Sequence, residues 1–228
     1  MRDDYVYPNT SLLINKLDIK TQKELDDAEN SLVSLNLLSL LNNQFELKSV
    51  FDIKRIHKIL FFDLYEWAGE NRKINIYKEE PVLNGLSVSY CDYREIDKEL
   101  IKLDKDFKST KWNTLSKTQM IDKLARLISR LWRIHCFREG NTRTTATFLY
   151  LFMKQLSLKV NIDFIGKHAK YFRNSLVLAS IDEYSEYEHL TNILMDSVSL
   201  KIINEKKYKT LREYEVDKYE YRQHKYKE

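Results

Sequence analysis

The stretch IHCFREGNTRTTATF, Ile134 to Phe148, packs a histidine, an acid, a glycine, an amide and two arginines between two apolar segments. A neutral imidazole near pH 7 is a competent general base, which suits His135 at the end of an apolar helix. Glu139 is a single carboxylate close by. Magnesium is usually held by one or two carboxylates together with water and substrate phosphates. Gly140 and Asn141 precede a helix start, where backbone N–H groups and the positive end of the helix dipole favour an anion. Arg143 adds a planar fork of donors matched to phosphate. Base, metal ligand, amide nest and arginine are the parts that phosphorus chemistry on a nucleotide requires. The same residue types also occur as helix caps and solvated side chains. A zinc reading of His135 with Glu139 lacks a third ligand nearby, and His57, His168, His189 and His224 are scattered and read as structural or surface residues. Cys136 as a nucleophile would have no neighbouring base but His135.

Several elements must position this loop. Thr21 to Leu41 reads as a helix, with Thr21 as N-cap and Glu24 at the capping-box position. Its apolar side is expected to be Leu25, Ala28, Leu32, Leu35, Leu38 and Leu41. A second helix is expected over Phe51 to Tyr65, stopping at Trp67-Ala68-Gly69. Arg94 to Phe107 reads as helix. So does Thr118 to Ile134, where Met120, Leu124, Leu127, Ile128, Leu131 and Ile134 form one stripe. The next helix starts near Asn141-Thr142 and carries Phe148, Leu149, Phe152 and Leu156. Further helices are expected over Tyr171 to Ser180 and Glu188 to Ile203. Between residues 73 and 90 the period changes. Lys73-Ile74-Asn75-Ile76-Tyr77 and Leu86-Ser87-Val88-Ser89-Tyr90 alternate around Pro81 and Asn84-Gly85, which predicts a β-hairpin. Such a hairpin is either a structural flap or an edge that pairs with another chain.

Composition bounds the class. With 4 Gly and 2 Pro in 228 residues there is little stock for turns, so the fold is expected to be all-α apart from that hairpin. No run approaches the roughly 18 apolar residues of a membrane span, and MRDDYVYPNT has no apolar signal core. Cys91 and Cys136 make no disulfide framework, so a cytoplasmic location is expected, with delivery into a host cell as a variant. The net charge of +4 is mild. Much of it lies in residues 201–228, with nine basic and six acidic residues, read as a solvated, tyrosine-rich helix or tail. No nucleic-acid or membrane partner is expected.

Residues 135 to 143, HCFREGNTR, resemble the signature loop of the Fic (filamentation induced by cAMP) family. That pattern is His-x-Phe-x-Asp/Glu-Gly-Asn-Gly-Arg, with a second arginine after two more residues. Tyr5-Val6-Tyr7-Pro8, Asn15-Lys16-Leu17, Leu64 to Glu70, Arg72 and Ile74-Asn75-Ile76 are similar to the N-terminal half of bacterial Fic toxins. Tyr171-Phe172 and Tyr187 to Leu190 also fit, so the resemblance covers roughly residues 5–198. It implies a Fic domain over residues 1–200 with a helical core, a hairpin flap over about 72–90 and a signature loop at 135–143. It also implies transfer of AMP from ATP to a Tyr, Ser or Thr hydroxyl of a target protein. In that scheme His135 deprotonates the hydroxyl and Glu139 holds Mg²⁺. Gly140, Asn141, Thr142 and Arg143 line the nucleotide site, Phe137 anchors the loop, and Lys73, Ile74, Asn75 and Ile76 dock the target.

Two positions depart from the family pattern. Thr142 replaces the glycine, and Ala146 replaces the second arginine. A β-branched residue at 142 fits only if φ is negative there. Ala146 removes a charged contact to a terminal phosphate, worth roughly 1.5–3 kcal/mol if desolvated. The Doc branch of the fold also lacks both groups, has lysine in place of the glycine, and transfers phosphate instead. The implied readings are therefore AMP transfer, a Doc-like phosphotransferase, or an impaired member acting as a binding module. Many family members carry an inhibitory Ser/Thr-x-x-x-Glu-Gly/Asn helix. Here Glu29-Asn30, Glu70-Asn71 and Glu139-Gly140 are preceded four residues earlier by Leu25, Glu66 and His135, so none matches. A separate small antitoxin is the implied partner.

Overall fold

A computed structural model describes residues 3–199. The described residues are helical, in the order α1 (Gln22–Asn42), α2 (Asp52–Phe61), α3 (Ile96–Ser109), α4 (Lys117–Ile134), α5 (Asn141–Gln155), α6 (Ile162–Lys167), α7 (Ala169–Leu178) and α8 (Glu188–Ser197). None of these helices is long and apolar enough to cross a membrane. Each expected helix has a counterpart, but α2 stops at Phe61 rather than Tyr65 and α8 stops at Ser197, with residues 200–203 of its expected span outside the described residues; α6 is an addition. It has six residues, too few to show a stripe, and contains Gly166. The expected tail at 201–228 lies outside the described residues.

The chain groups into two units. The first takes in residues 3–75, 91–111 and 134–158, the second 76–90, 112–133 and 159–199. In the first, α2 packs against α1 and α5. Ile53, Ile56, Leu60 and Phe61 of α2 are buried, as are Phe148, Leu149 and Phe152 of α5. Phe107 of α3 lies 4.8 Å from the Phe152 ring. Each such side chain contributes about 1.5–3 kcal/mol by leaving water.

Helix α1 begins as expected: the Glu24 N–H donates to Thr21 Oγ1 at 3.3 Å, and Thr21 Oγ1 donates to the Glu24 carboxylate at 2.7 Å. Its inward face differs from the expected one. Leu25, Val33 and Leu40 are buried, whereas Leu35 and Leu38 are 63% and 59% exposed. Residues 25, 29, 33, 36 and 40 share one side at helical spacing, so Glu29 and Asn36 belong to the inward face. Asn36 donates to the Leu60 carbonyl and to Asp63. Counting apolar residues alone skips both polar positions; of the expected stripe Leu25 is buried, Ala28, Leu32 and Leu41 are half-buried, and Leu35 and Leu38 face solvent.

In the second unit α7 packs on α8, and α6 packs on both. The α4 stripe is buried as predicted, with Trp132 fully enclosed. The expected hairpin over 72–90 is absent: no strand occurs in this segment, and among the described residues the isolated bridge is Val6 with Leu13. Pro81–Leu83 form a 3-10 turn, and Asn84 and Gly85 both take positive φ. The Glu80 N–H donates to the Leu86 carbonyl at 3.0 Å, but the Lys78 N–H donates to a side chain, Ser87 Oγ, at 3.2 Å. The turn chemistry is therefore that of a hairpin, but the arms are tied by side chains rather than by a ladder.

A buried carboxylate fastens this turn. Glu80 is fully enclosed and accepts two hydrogen bonds from the Arg173 guanidinium on α7, at 2.5 and 2.9 Å, and one from the Tyr90 hydroxyl at 3.1 Å. Removing one partner of a buried pair strands the other charge. Arg173→Ala is expected to cost about 2–3 kcal/mol, less than for a fully dry pair because the Arg173 side chain is 34% exposed. Chemical denaturation of the variant checks this, and a loss under 0.5 kcal/mol, roughly the surface-substitution range, would contradict it.

Candidate active site

The loop is built by ending one helix and starting another within six residues. Helix α4 ends at Ile134, and His135 follows with φ of 51°, the left-handed conformation that closes many helices. Helix α5 starts at Asn141 after Gly140, whose φ is 78°. A Cβ at position 140 would lie 2.4 Å from Cζ of Phe61, so the α2 ring and the backbone angle both demand glycine.

Asn141 locks the loop. Its Oδ1 accepts from the Phe137 N–H at 2.9 Å and its Nδ2 donates to the Phe137 carbonyl at 2.7 Å. Its amide is therefore tied to the loop's own backbone, and its main-chain N–H stands at the start of α5. Phe137 is completely buried and stacks on His57 at 3.8 Å, the core anchor expected of it. The Gly140 N–H donates to the Glu139 carboxylate at 3.0 Å. A carboxylate thus already lies on one of the amides expected to cradle phosphate.

Two further residues hold the loop: His57, read from the sequence as structural or surface, and Arg72, quoted there only for the family resemblance. His57 on α2 accepts the Gly69 N–H at Nδ1, 2.8 Å, which leaves Nε2 as the donor to the Glu139 carbonyl at 3.1 Å. Burial pushes its pKa down to about 3, so the ring stays neutral. Arg72, also buried, donates from Nε to the His135 carbonyl at 2.7 Å and from Nη1 to the Ile74 carbonyl at 2.6 Å. Its Nη2 reaches the carbonyl of Cys91. Its backbone N–H donates to the Cys136 carbonyl at 2.7 Å. Burial lowers the Arg72 pKa from its usual range, and the carbonyl cage satisfies the charge without any carboxylate. Neither residue carries a local signal, because their partners lie 82 and 63 residues away.

His57 makes stability depend on pH. The unfolded chain protonates it near pH 6.5, the folded chain only near pH 3. Between those values the unfolded state binds more protons, so stability falls as pH drops from 6.5 towards 3. The expected loss at the acid end is on the order of 4 kcal/mol. An NMR titration should find the His57 ring neutral down to pH 4; a midpoint near 6 would refute this.

The remaining candidates fall as follows. His135 is 3% exposed, and Glu139, Thr142 and Arg143 are half-buried around it in sequence. Thr142 sits in the first turn of α5 and is not among the positive-φ residues, so the β-branched side chain fits without strain. Arg143 pairs with Glu29 of α1, and its guanidinium lies 5.1 Å from the Phe61 ring centre. Cys136 is buried and burial pushes its thiol up to about 12, which removes it as a nucleophile. Of the expected docking strand, Lys73 and Asn75 are exposed and Ile74 and Ile76 half-buried. The Lys73 N–H already donates to the Tyr5 hydroxyl at 3.0 Å, and Asn75 Oδ1 accepts from the Tyr93 N–H at 2.9 Å.

No group of three or more His, Cys, Asp or Glu that could cage a metal occurs among the described residues. A magnesium ion is compatible with one carboxylate, Glu139, since water and nucleotide phosphates normally supply its other oxygens.

The structure thus carries a histidine, a carboxylate and an arginine on one loop between two helices. Residues 48–153 match the model of the Fic/DOC family. Over that segment the chain is similar to the Fic/DOC family. It is 26% identical over 195 residues to the protein adenylyltransferase VbhT of Bartonella schoenbuchensis, a match covering 85% of this chain and 38% of that protein. It is also 26% identical over 218 residues to a protein adenylyltransferase of Bartonella henselae, covering 88% and 39%. The chain thus spans about two fifths of the length of these relatives. Among solved structures, the N-terminal FIC domain of Bep8 from Bartonella sp. 1-1C superposes with a TM-score of 0.73 at 21% identity, over 88% of this chain and 96% of that one. BepC of Bartonella tribocorum, with bound AMPPNP, gives 0.72 at 22%, over 87% and 97%. These likenesses carry the fold.

Proposed function

We propose that the protein transfers AMP from ATP to a hydroxyl side chain of a target protein. The observation that carries this reading is the hydrogen-bonded loop itself. His135, Glu139 and Arg143 project from a backbone fixed by Asn141, His57 and Arg72. Relatives named protein adenylyltransferases support the same reading.

In the proposed reaction the target hydroxyl oxygen attacks the α-phosphorus of ATP. The bond from that phosphorus to the bridging oxygen of the β-phosphate breaks, and pyrophosphate leaves. His135 takes the hydroxyl proton as general base. Arg143 and the first-turn amides of α5 hold phosphate oxygens and offset their charge. Glu139 would ligate Mg²⁺, which supplies Lewis-acid neutralisation of the polyphosphate when bound. In this reading the Thr142 hydroxyl bonds a nucleotide oxygen, and Ala146 leaves the terminal phosphate without a guanidinium. The segment Lys73 to Ile76 receives the target chain, through the backbone groups not tied to Tyr5 and Arg72.

Ala146 also favours a second reading: weaker retention of the terminal phosphate suits a nucleotide bound the other way round, with the γ-phosphate transferred. A toxin whose partner is a small antitoxin protein fits the N-terminal resemblance, although Ala146 removes the arginine that an inhibitory glutamate would engage. Incubation with α-labelled ATP, Mg²⁺ and cell lysate tests the main reading. Label that stays on protein through denaturation, and vanishes in Glu139→Gln, is expected; nucleotide binding without any covalent label would contradict it.

A further inference from the structure

We propose that Glu29, tied to Tyr65, is a positioning residue for Arg143: it fixes the guanidinium at the mouth of the loop before nucleotide arrives. The proposal rests on the nucleotide reading of the loop and extends it to a residue on a different helix, 114 positions away in sequence.

Glu29 lies on the inward face of α1, in register with Leu25 and Val33, where an apolar side chain would be expected. Its two oxygens have different partners. Oε1 accepts from Nη2 of Arg143, and Oε2 accepts from the Tyr65 hydroxyl at 2.5 Å. The Tyr65 ring is itself held, stacked on Trp67 at 4.5 Å with an interplanar angle of 13°, and is 1% exposed. On its other side the Arg143 guanidinium sits against the Phe61 ring. Burial and the neighbouring Glu29 charge push the Tyr65 pKa upward, so the phenol remains a donor.

This geometry favours a fixed anchor over a mobile competitor. A carboxylate that had to leave Arg143 for each nucleotide would also break its bond to a buried tyrosine, and the glutamate side chain is 13% exposed. A guanidinium has five N–H donors, so one bond to Glu29 leaves others for phosphate. An unanchored arginine would lose rotamer freedom on binding an anion, and an anchored one has lost it already.

A double-mutant cycle on the full chain tests the proposal, with a non-hydrolysable ATP analogue and Mg²⁺ titrated calorimetrically. Glu29→Ala should weaken binding about tenfold, and Tyr65→Phe by a smaller factor. In an Arg143→Ala background Glu29→Ala should cause no further loss, because its effect runs through that arginine. Glu29→Gln, which keeps an acceptor, should recover part of the affinity. Tighter binding in Glu29→Ala would make Glu29 a competitor and overturn the proposal. Equal, additive losses in both backgrounds would overturn it as well, by showing general damage to the fold. If the wild-type protein binds no nucleotide, the reading of the loop falls and this inference with it.

Discussion

His135→Ala should lower transfer to protein by about 10²–10⁴-fold, the range for removing a general base. The imidazole has no substitute nearby. Cys136 is held protonated by burial, and His57 is neutral with both ring nitrogens engaged. Position 135 also has a left-handed backbone, which alanine tolerates poorly. His135→Asn is therefore the companion variant, since asparagine accepts that conformation. Both should lose transfer alike while nucleotide binding persists. Retention of more than about a tenth of the wild-type rate in His135→Asn would remove His135 from the role of base.

Gly140→Ala is expected to be the most damaging single methyl in the loop. The added carbon meets the Phe61 ring at 2.4 Å and sits on a residue with φ of 78°. Left-handed backbone costs about 1–2 kcal/mol for an L side chain, and overpacking typically about 1–3 kcal/mol more. A loss of ~3 kcal/mol in unfolding free energy follows, with transfer largely abolished because Glu139 and Arg143 flank the displaced residue. Pairing it with Phe61→Leu should relieve the steric part but not the backbone part. If Gly140→Ala is as stable as wild type, the loop does not hold the conformation described here.

The candidate residues legible in the sequence are those whose chemistry is local. His135, Glu139, Gly140, Asn141 and Arg143 stand within nine residues, and their types alone suggested anion and proton chemistry. The α4 stripe was legible because its helix buries apolar residues at regular spacing. Helix α1 was misread because its inward face includes Glu29 and Asn36, and a polar residue on a buried face is invisible to a hydrophobic count. The signal was present as the 25, 29, 33, 36, 40 spacing, had polar residues been admitted to it. Arg72 and His57 act through main-chain carbonyls far away in sequence, so no spacing rule reaches them. At 73–90 alternation and Asn84-Gly85 pointed to a hairpin. Backbone groups that a ladder would use are taken by side chains instead: the Lys73 N–H by Tyr5, the Ile74 carbonyl by Arg72 and the Lys78 N–H by Ser87.

In the proposed reaction this loop moves the α-phosphate of ATP, with its adenosine, to a protein hydroxyl. The most direct test labels ATP in parallel at the α- and the γ-phosphate and incubates each with the protein, Mg²⁺ and cell lysate, with His135→Ala alongside. Covalent label from the α-position alone, dependent on His135, is the expected result. Label from the γ-position alone would contradict it and establish phosphate transfer with the nucleotide reversed.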